Sequence, residues 1–276
     1  MNSDTVYRMN ADTAPFTGAT SDLPRAGFWR RWLAVLIDWT VVIFPFQVVA
    51  AILFAVTAGG VQMNNGFFRV CAPASIPQAL DPPPPHDSNF ASACHVSLFG
   101  ATTGSTLTVG RITHQGTTTT NVNQVYTVDA DGKPSHAISI DWIGQLAFLA
   151  YLLGMVSKTG KTLGARVAKV KVIDTAQPGT SGVPFGKVIV RYLAMIIGAV
   201  PMLAVLIYQR VAVGSSADAM FTGNFFQWFM YAGALGAVWV LVLIVQTARK
   251  TDPIYDRLAG TAVLREPSPG EIPAAA

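Results

Sequence analysis

The stretch RRWLAVLIDWTVVIFPF, residues 30–46, decides how this chain is read. It is apolar enough to lie in lipid, yet Asp38 sits in its interior. A charged Asp at the centre of a membrane helix costs about 2.5–3.5 kcal/mol on the insertion scale. Such a residue usually faces a bundle interior, pairs with another charge or lines an ion path. Composition agrees with a membrane setting. Of 276 residues, 51% are hydrophobic and only 12% are charged, against about 25% charged in soluble domains. Mean hydropathy is +0.41.

Working outward, four windows have the length and apolarity of membrane spans: 32–57, about 140–156, 185–208 and 226–247. Roughly 20 apolar residues cross about 30 Å of hydrocarbon. The 140–156 window is the shortest and least apolar. The pattern predicts an all-α membrane protein with four transmembrane helices. A small, β-rich, disulfide-bonded extracytoplasmic insertion is expected between the first two. The first apolar run, 32–58, exceeds the 7–15 residues of a signal h-region and reads as a retained helix that directs insertion. Basic residues gather at 25–31, 158–187 and 249–265, whereas the short 209–225 loop holds only Arg210. The positive-inside rule then places both termini in the cytoplasm and 59–139 outside. Residues 1–24, polar and Thr/Ala/Pro-rich, are expected to form a disordered cytoplasmic N-terminus. Residues 25–264 are expected to form the membrane domain, and 265–276 a cytoplasmic tail.

The 59–139 loop begins Gly- and Pro-rich and becomes STLTVGRITHQGTTTTNVNQVYTVDADGKP, with Thr and Val near period two. That alternation predicts strands, and Asp131–Gly132 a tight turn. A solvated loop is the alternative. Both cysteines, Cys71 and Cys94, lie here. On an oxidising side a pair with none left over is expected to bond. His86, His95, His114 and His136 share the loop at no recognised ligand spacing, so no metal and no cofactor are expected.

GMVSKTGKTLG (154–164) contains GKT but not the glycine spacing or the preceding strand of a phosphate-binding loop. It reads as a basic cytoplasmic turn near anionic headgroups, followed by a short strand or hairpin in VAKVKVID (167–174). Two arginines are candidates to meet Asp38. Arg31 lies two turns earlier on the same helix face. Arg191, at matching depth in the third window, is the better candidate. In TDPIYDRLAGTAVL (251–264), Asp252 is placed to cap a short helix, Pro253 to open it and Gly260 to end it. Asp256, one turn in, is then in position to meet Arg31 or a basic residue of the 158–171 loop.

Three blocks, RAGFWRRWLAVLID (25–38), SKTGKTLGARVAKVKVID (157–174) and DPIYDRLAGTAVL (252–264), resemble the RDD family of bacterial membrane proteins. That family is named for one arginine and two aspartates. These map onto Arg31 (with Arg30 adjacent), Asp38 and Asp256. The resemblance covers roughly 25–58 and 140–264, but neither 1–24 nor the long outer loop. It implies a multi-pass protein of the bacterial cytoplasmic membrane whose function is mostly unassigned. Ligand transport has been proposed for the family, and cation/proton antiport described for some relatives.

Two functions follow as expectations. In the first, the protein transports a small ligand or cation through a charge network of Arg31, Asp38, Arg191 and Asp256, with Asp38 exchanging a proton or holding the cation. In the second, it is a non-catalytic accessory subunit or scaffold of a larger cell-envelope membrane complex, with the outer loop binding a partner. An apolar patch on the outer loop would favour the second. Small residues in AGALGA (232–237) suit close helix contacts within or between chains, including a homo-oligomer. No nucleophile–base pair stands out, so no enzyme is expected. The basic residues are those of membrane topology and point to the lipid bilayer, not to nucleic acid.

Overall fold

A computed structural model describes residues 24–213 and 223–266. Apart from Pro24, Arg265 and Glu266, the expected N-terminal segment and C-terminal tail lie outside the described residues. The chain divides into two compact units, Trp39–Tyr151 and the remainder. The boundaries fall inside helices α1 (Phe28–Val56) and α2 (Asp141–Thr159).

The Trp39–Tyr151 unit is built on four antiparallel strands in the order β2 (Phe68–Pro73), β3 (Phe90–Leu98), β4 (Ala101–Gln115) and β5 (Thr118–Thr127). The Thr/Val alternation forms β4 and β5, and Leu107, Val109 and Tyr126 pack into a small core with Ala91 and Val128. Cys71 and Cys94 face each other in register and are bonded, across 23 positions of sequence. Closing such a loop stabilises by about 3 kcal/mol in the chain-entropy model. A short parallel pair, β1 (Val61–Gln62) with β6 (Ile138–Ser139), completes the unit. Gln62 is fully buried and fully used. Its amide donates to the Gly59 and Val128 carbonyls at 2.8 and 2.7 Å and accepts from the Ser105 N–H at 2.9 Å.

The second unit is organised around a two-stranded antiparallel ribbon, β7 (Val170–Asp174) with β8 (Thr261–Arg265). Pro24–Ala26 extends it. The Arg265 N–H donates to Pro24 and the Ala26 N–H to Val263, at 2.8 and 2.9 Å. The other elements are α3 (Leu163–Val167), α4 (Phe185–Met195), α5 (Val200–Tyr208), α6 (Gly223–Ala248) and α7 (Ile254–Ala259). The core is made of small residues, with Ala26, Ala34, Ala165 and Ala168 beside Val156, Val172, Val188 and Val263. Small side chains let these short elements approach closely. Gly260, in the left-handed region at φ 62°, closes α7 as expected. The expected cap differs: the capping position is Pro253, and Asp252 instead pairs with Arg25 at 3.0 Å.

The expectation of an all-α protein with four membrane helices is corrected. A four-stranded sheet dominates one unit and a strand ribbon centres the other. Among the described residues only α1 and α6 are single helices long and apolar enough to cross a membrane, or up to three spans if a bent pair counts as one. The 140–156 window falls short because Asp141, Gln145 and Tyr151 dilute it and the last turn of α2 is polar, Ser157, Lys158 and Thr159. The 185–208 window is broken by a 41° bend between α4 and the helix that follows. Pro201, at the start of α5, lacks the N–H that would continue the α ladder through this point. A 3-10 turn, Ile197–Ala199, replaces it.

Two packing features hold that bend. The Trp239 indole N–H donates to the Met195 carbonyl at 3.1 Å, serving a backbone group the break would strand. Gly198 admits the ring, since a Cβ there would lie 2.5 Å from the Trp239 side chain. The small residues of 232–237 are used here, with Gly236 against the Gly198 carbonyl.

The apolar helices find little cover among the described residues. The most apolar window of α6 is 6% buried, and that of α1 22%. Surface of this kind is stable against lipid or a partner, not water. We predict that Trp239→Phe, which keeps an aromatic ring but removes the donor and part of the packing against Gly198, lowers stability in detergent by at least about 1–2 kcal/mol. Thermal unfolding of the pair measures it, and an unchanged midpoint would show that the Met195 carbonyl needs no partner.

Candidate functional site

Arg31, Arg191 and Asp256 converge. Arg31 extends from the first turn of α1, Arg191 from the middle of α4, and Asp256 from the first turn of α7. Asp256 is 0% exposed. Its Oδ2 accepts from Arg31 Nη1 at 2.7 Å, and its Oδ1 accepts from Thr261 Oγ1 at 3.1 Å. Arg191 Nε lies 3.4 Å from Oδ1, an ion pair without hydrogen-bond geometry. Arg31 also donates through Nε to the Ala26 carbonyl at 3.1 Å and through Nη1 to the Tyr255 hydroxyl at 3.3 Å. The Arg191 guanidinium lies 5.6 Å from the Tyr255 ring centre, a cation–π distance. Two guanidiniums, that of Arg191 buried and that of Arg31 partly buried, thus share one carboxylate. Arg31 Nη2 and Arg191 Nε and Nη1 make no hydrogen bond among the described residues.

Asp38 is placed differently. It is 2% exposed, and its oxygens accept from Thr162 Oγ1 at 2.5 Å and from the Gly164 N–H at 2.7 Å. Thr162 caps α3, its hydroxyl also accepting from the Ala165 N–H at 3.1 Å. The GKT run is therefore a helix start clamped by a carboxylate, with α2 before it and no strand. Gly164 is required by proximity, because a Cβ there would sit 2.0 Å from the Ala34 carbonyl oxygen. Arg191, the better expected partner of Asp38, instead reaches Asp256, as does Arg31.

Sequence reasoning missed Thr162, Gly164, Tyr255 and Thr261. The one available signal was Thr162, a good capping residue directly before LGARV. It also missed Asp174, buried at the end of β7, which accepts from Lys187 Nζ at 2.6 Å and from the Ala176 N–H at 2.9 Å. Burial pushes the Asp174 carboxyl up, but the hydrogen bond and charge of Lys187, with the Ala176 amide, outweigh it and hold it below the usual carboxylate range. Gln47 and Gln246, polar side chains within the apolar helices α1 and α6, serve the backbone. Gln47 donates to the Asn65 carbonyl at 2.5 Å, and Gln246 accepts from the Ile254 N–H at 3.0 Å, at the start of α7. Among the described residues no group of three or more His, Cys, Asp or Glu is arranged to hold a metal ion.

No family model, no curated protein and no solved structure matches the chain. The geometry has to carry the functional reading.

The charge ratio orders the effects of mutation. Removing one member of a buried pair costs about 3–5 kcal/mol, because the other charge is left unpaired. Asp256→Ala strands two guanidiniums, whereas Arg31→Met leaves Arg191 and Asp256 as a one-to-one pair. Equilibrium unfolding should therefore show a larger loss for Asp256→Ala, and the reverse order would mean the carboxylate is not the hub. Asp174 gives a pH signature. Its carboxyl is held lower in the folded than in the unfolded chain, so its stabilising contribution is present above about pH 4. That contribution is lost as pH falls through the folded value. Between pH 6 and pH 3 the wild type should lose stability more steeply than Asp174→Asn; parallel curves would remove Asp174 from the account.

Proposed function

We propose that the chain is an RDD-type integral protein of the bacterial cytoplasmic membrane, acting as a non-catalytic accessory subunit or scaffold of a larger cell-envelope complex. The basic ends of α1 and α6 face the cytoplasm by the positive-inside rule. The disulfide-bonded sheet lies on the oxidising side, where such bonds persist.

The observation that carries this reading is an apolar patch on the Trp39–Tyr151 unit. Phe68 and Val70 are exposed on the edge strand β2, and Phe99, 80% exposed, occupies the β3–β4 turn. Phe99 meets Phe68 in a tilted contact at 6.2 Å and Phe44 edge-on at 6.3 Å. It does so at φ 47°, a left-handed conformation that favours Gly or Asn over Phe. Large aromatics clustered at a surface are typical of interface anchors. An edge strand with unpaired backbone groups is a natural place for a partner to add.

Asp38 supports the same reading, since Thr162 and Gly164 use its oxygens to fix α3. The competing reading, cation/proton exchange, draws on the same residue as a carboxylate buried in an apolar helix. Reconstitution into liposomes separates them. Internal pH is followed on adding Na⁺ or K⁺, for wild type and Asp38→Asn at matched folded amounts. We expect no cation-driven pH change in either, with a lower melting temperature for Asp38→Asn. A pH change in wild type that the variant loses would overturn the scaffold reading in favour of exchange.

A further inference from the structure

The two helices able to cross a membrane open onto a shared cavity. The start of α1 and the end of α6 border a space of about 440 Å³, lined by Arg25, Arg30, Lys250 and Arg265 with Phe28 and Trp29. Among the described residues no Asp or Glu lines it. Arg25 is engaged by Asp252 at 3.0 Å. Arg30 donates Nη1 to the Ala168 carbonyl at 3.0 Å, one use of a group with five donors. The space is therefore cationic, with one wall aromatic.

Lys250 is the telling residue. Beyond the end of α6 its N–H donates to the Thr247 carbonyl and that of Thr251 to the Gln246 carbonyl, at 3.1 and 3.0 Å. This is the closing turn in which Gly normally takes the left-handed position. Here Lys takes it, at φ 57°. A side chain pays a conformational penalty there that Gly does not. The residue held there is a cation that lines the cavity.

The surroundings define the ligand. Trp29, 74% exposed, lines the cavity and begins an exposed stripe through Trp32, Leu33 and Leu36 on α1. On α6, exposed Leu241 and Val245 lead at helical spacing to Ala248, which also lines the cavity. A phosphate in the cavity would thus lie at the head of two apolar stripes. Free phosphate has no use for the stripes, whereas an acyl chain does. Basic pockets between membrane helices on the cytoplasmic side are suited to anionic headgroups.

We propose that this cavity binds the headgroup phosphate of an anionic phospholipid, with Lys250 and Arg30 as its cations and the acyl chains lying along α1 and α6. The inference rests on the membrane placement given under Proposed function, and the test separates the two. Full-length protein is first assayed for membrane insertion by alkaline extraction. It is then titrated in detergent with phosphatidylglycerol, phosphatidylcholine or inorganic phosphate, reading bound lipid by native mass spectrometry and melting temperature by scanning fluorimetry. The variants are Lys250→Gly, which relieves the left-handed strain and so keeps the fold, and Lys250→Gly combined with Arg30→Gln.

The expected result is at least tenfold tighter retention of phosphatidylglycerol than of phosphatidylcholine. Lys250→Gly should lose most of that preference while melting no lower than wild type without lipid, and the double variant should lose all of it. An inserted protein that binds the two lipids equally, or a Lys250→Gly protein with undiminished preference, overturns the site and leaves the membrane placement standing. Stabilisation by inorganic phosphate equal to that by phosphatidylglycerol overturns the lipid assignment. A protein released by alkaline extraction overturns both.

Discussion

The pairing of one buried carboxylate with two arginines is the constraint on which the second unit depends. Asp256 stands on a helix of only six residues, too short to hold its shape by propensity. What fixes α7 is its attachment: Asp256 to Arg31 of α1 and Arg191 of α4, and Thr261 of β8 back to Asp256. The ribbon continues the tie, because β8 pairs with β7 and accepts Pro24–Ala26 alongside. The start of α1 is therefore held twice, by the arginine and by the backbone just before it. Lys187 of α4, bonded to Asp174 at the end of β7, adds a third attachment between the helices and the ribbon.

Asp38 performs a parallel task one step along α1. It clamps the start of α3, another helix too short to stand alone, against the Ala34 backbone. Both carboxylates of the proposed family signature thus take the short pieces that propensity leaves undefined and fix their register on longer helices. Burying charge for this purpose is expensive, and an apolar core of equal volume would often be as stable. A charge cluster, however, tolerates few alternative registers. Oily surface can slide by a turn, but an unpaired guanidinium in the interior cannot. For helices with so little burial of their own, register is the harder thing to secure.

How far the sequence could be read follows from the range of each interaction. Arg31 and Asp256 were legible because each sits in a distinctive local run, and Gly260 because a left-handed helix end is a local requirement. The disulfide and the strands of the outer loop were legible from cysteine count and period-two alternation. The Arg191 assignment went astray for a physical reason. Depth along a helix fixes one coordinate and leaves the facing open, and Arg191 turns toward α7 and not toward Asp38. The partners of Asp38 lie 124 and 126 residues away, in a turn whose shape depends on that contact. Strand β8 was hidden for the same reason, since its five residues become a strand only beside β7. The four-span expectation treated hydrophobic windows as straight helices; Pro201 marked the break, but its position at the start of a new helix reads equally well as a kink.

The distribution of exposed apolar surface links the two proposals. In the second unit it lies on helices, continuous along their length and ending at a cationic cavity, which is the profile of a surface bathed in lipid. In the Trp39–Tyr151 unit it also runs along α1 and α2, but a separate aromatic group stands on the β2 edge and on the turn that holds Phe99 in a left-handed conformation. A fluid solvent such as lipid does not require a ring to be held in one strained position, whereas a structured partner does. The same contrast holds at the cavity, where Lys250 bears its penalty at one point while the stripes beside it are ordinary helix. Left-handed backbone also occurs at Ala58, Asp87 and Lys169; what sets Phe99 and Lys250 apart is where they stand, one in an exposed aromatic group and the other lining a cationic cavity.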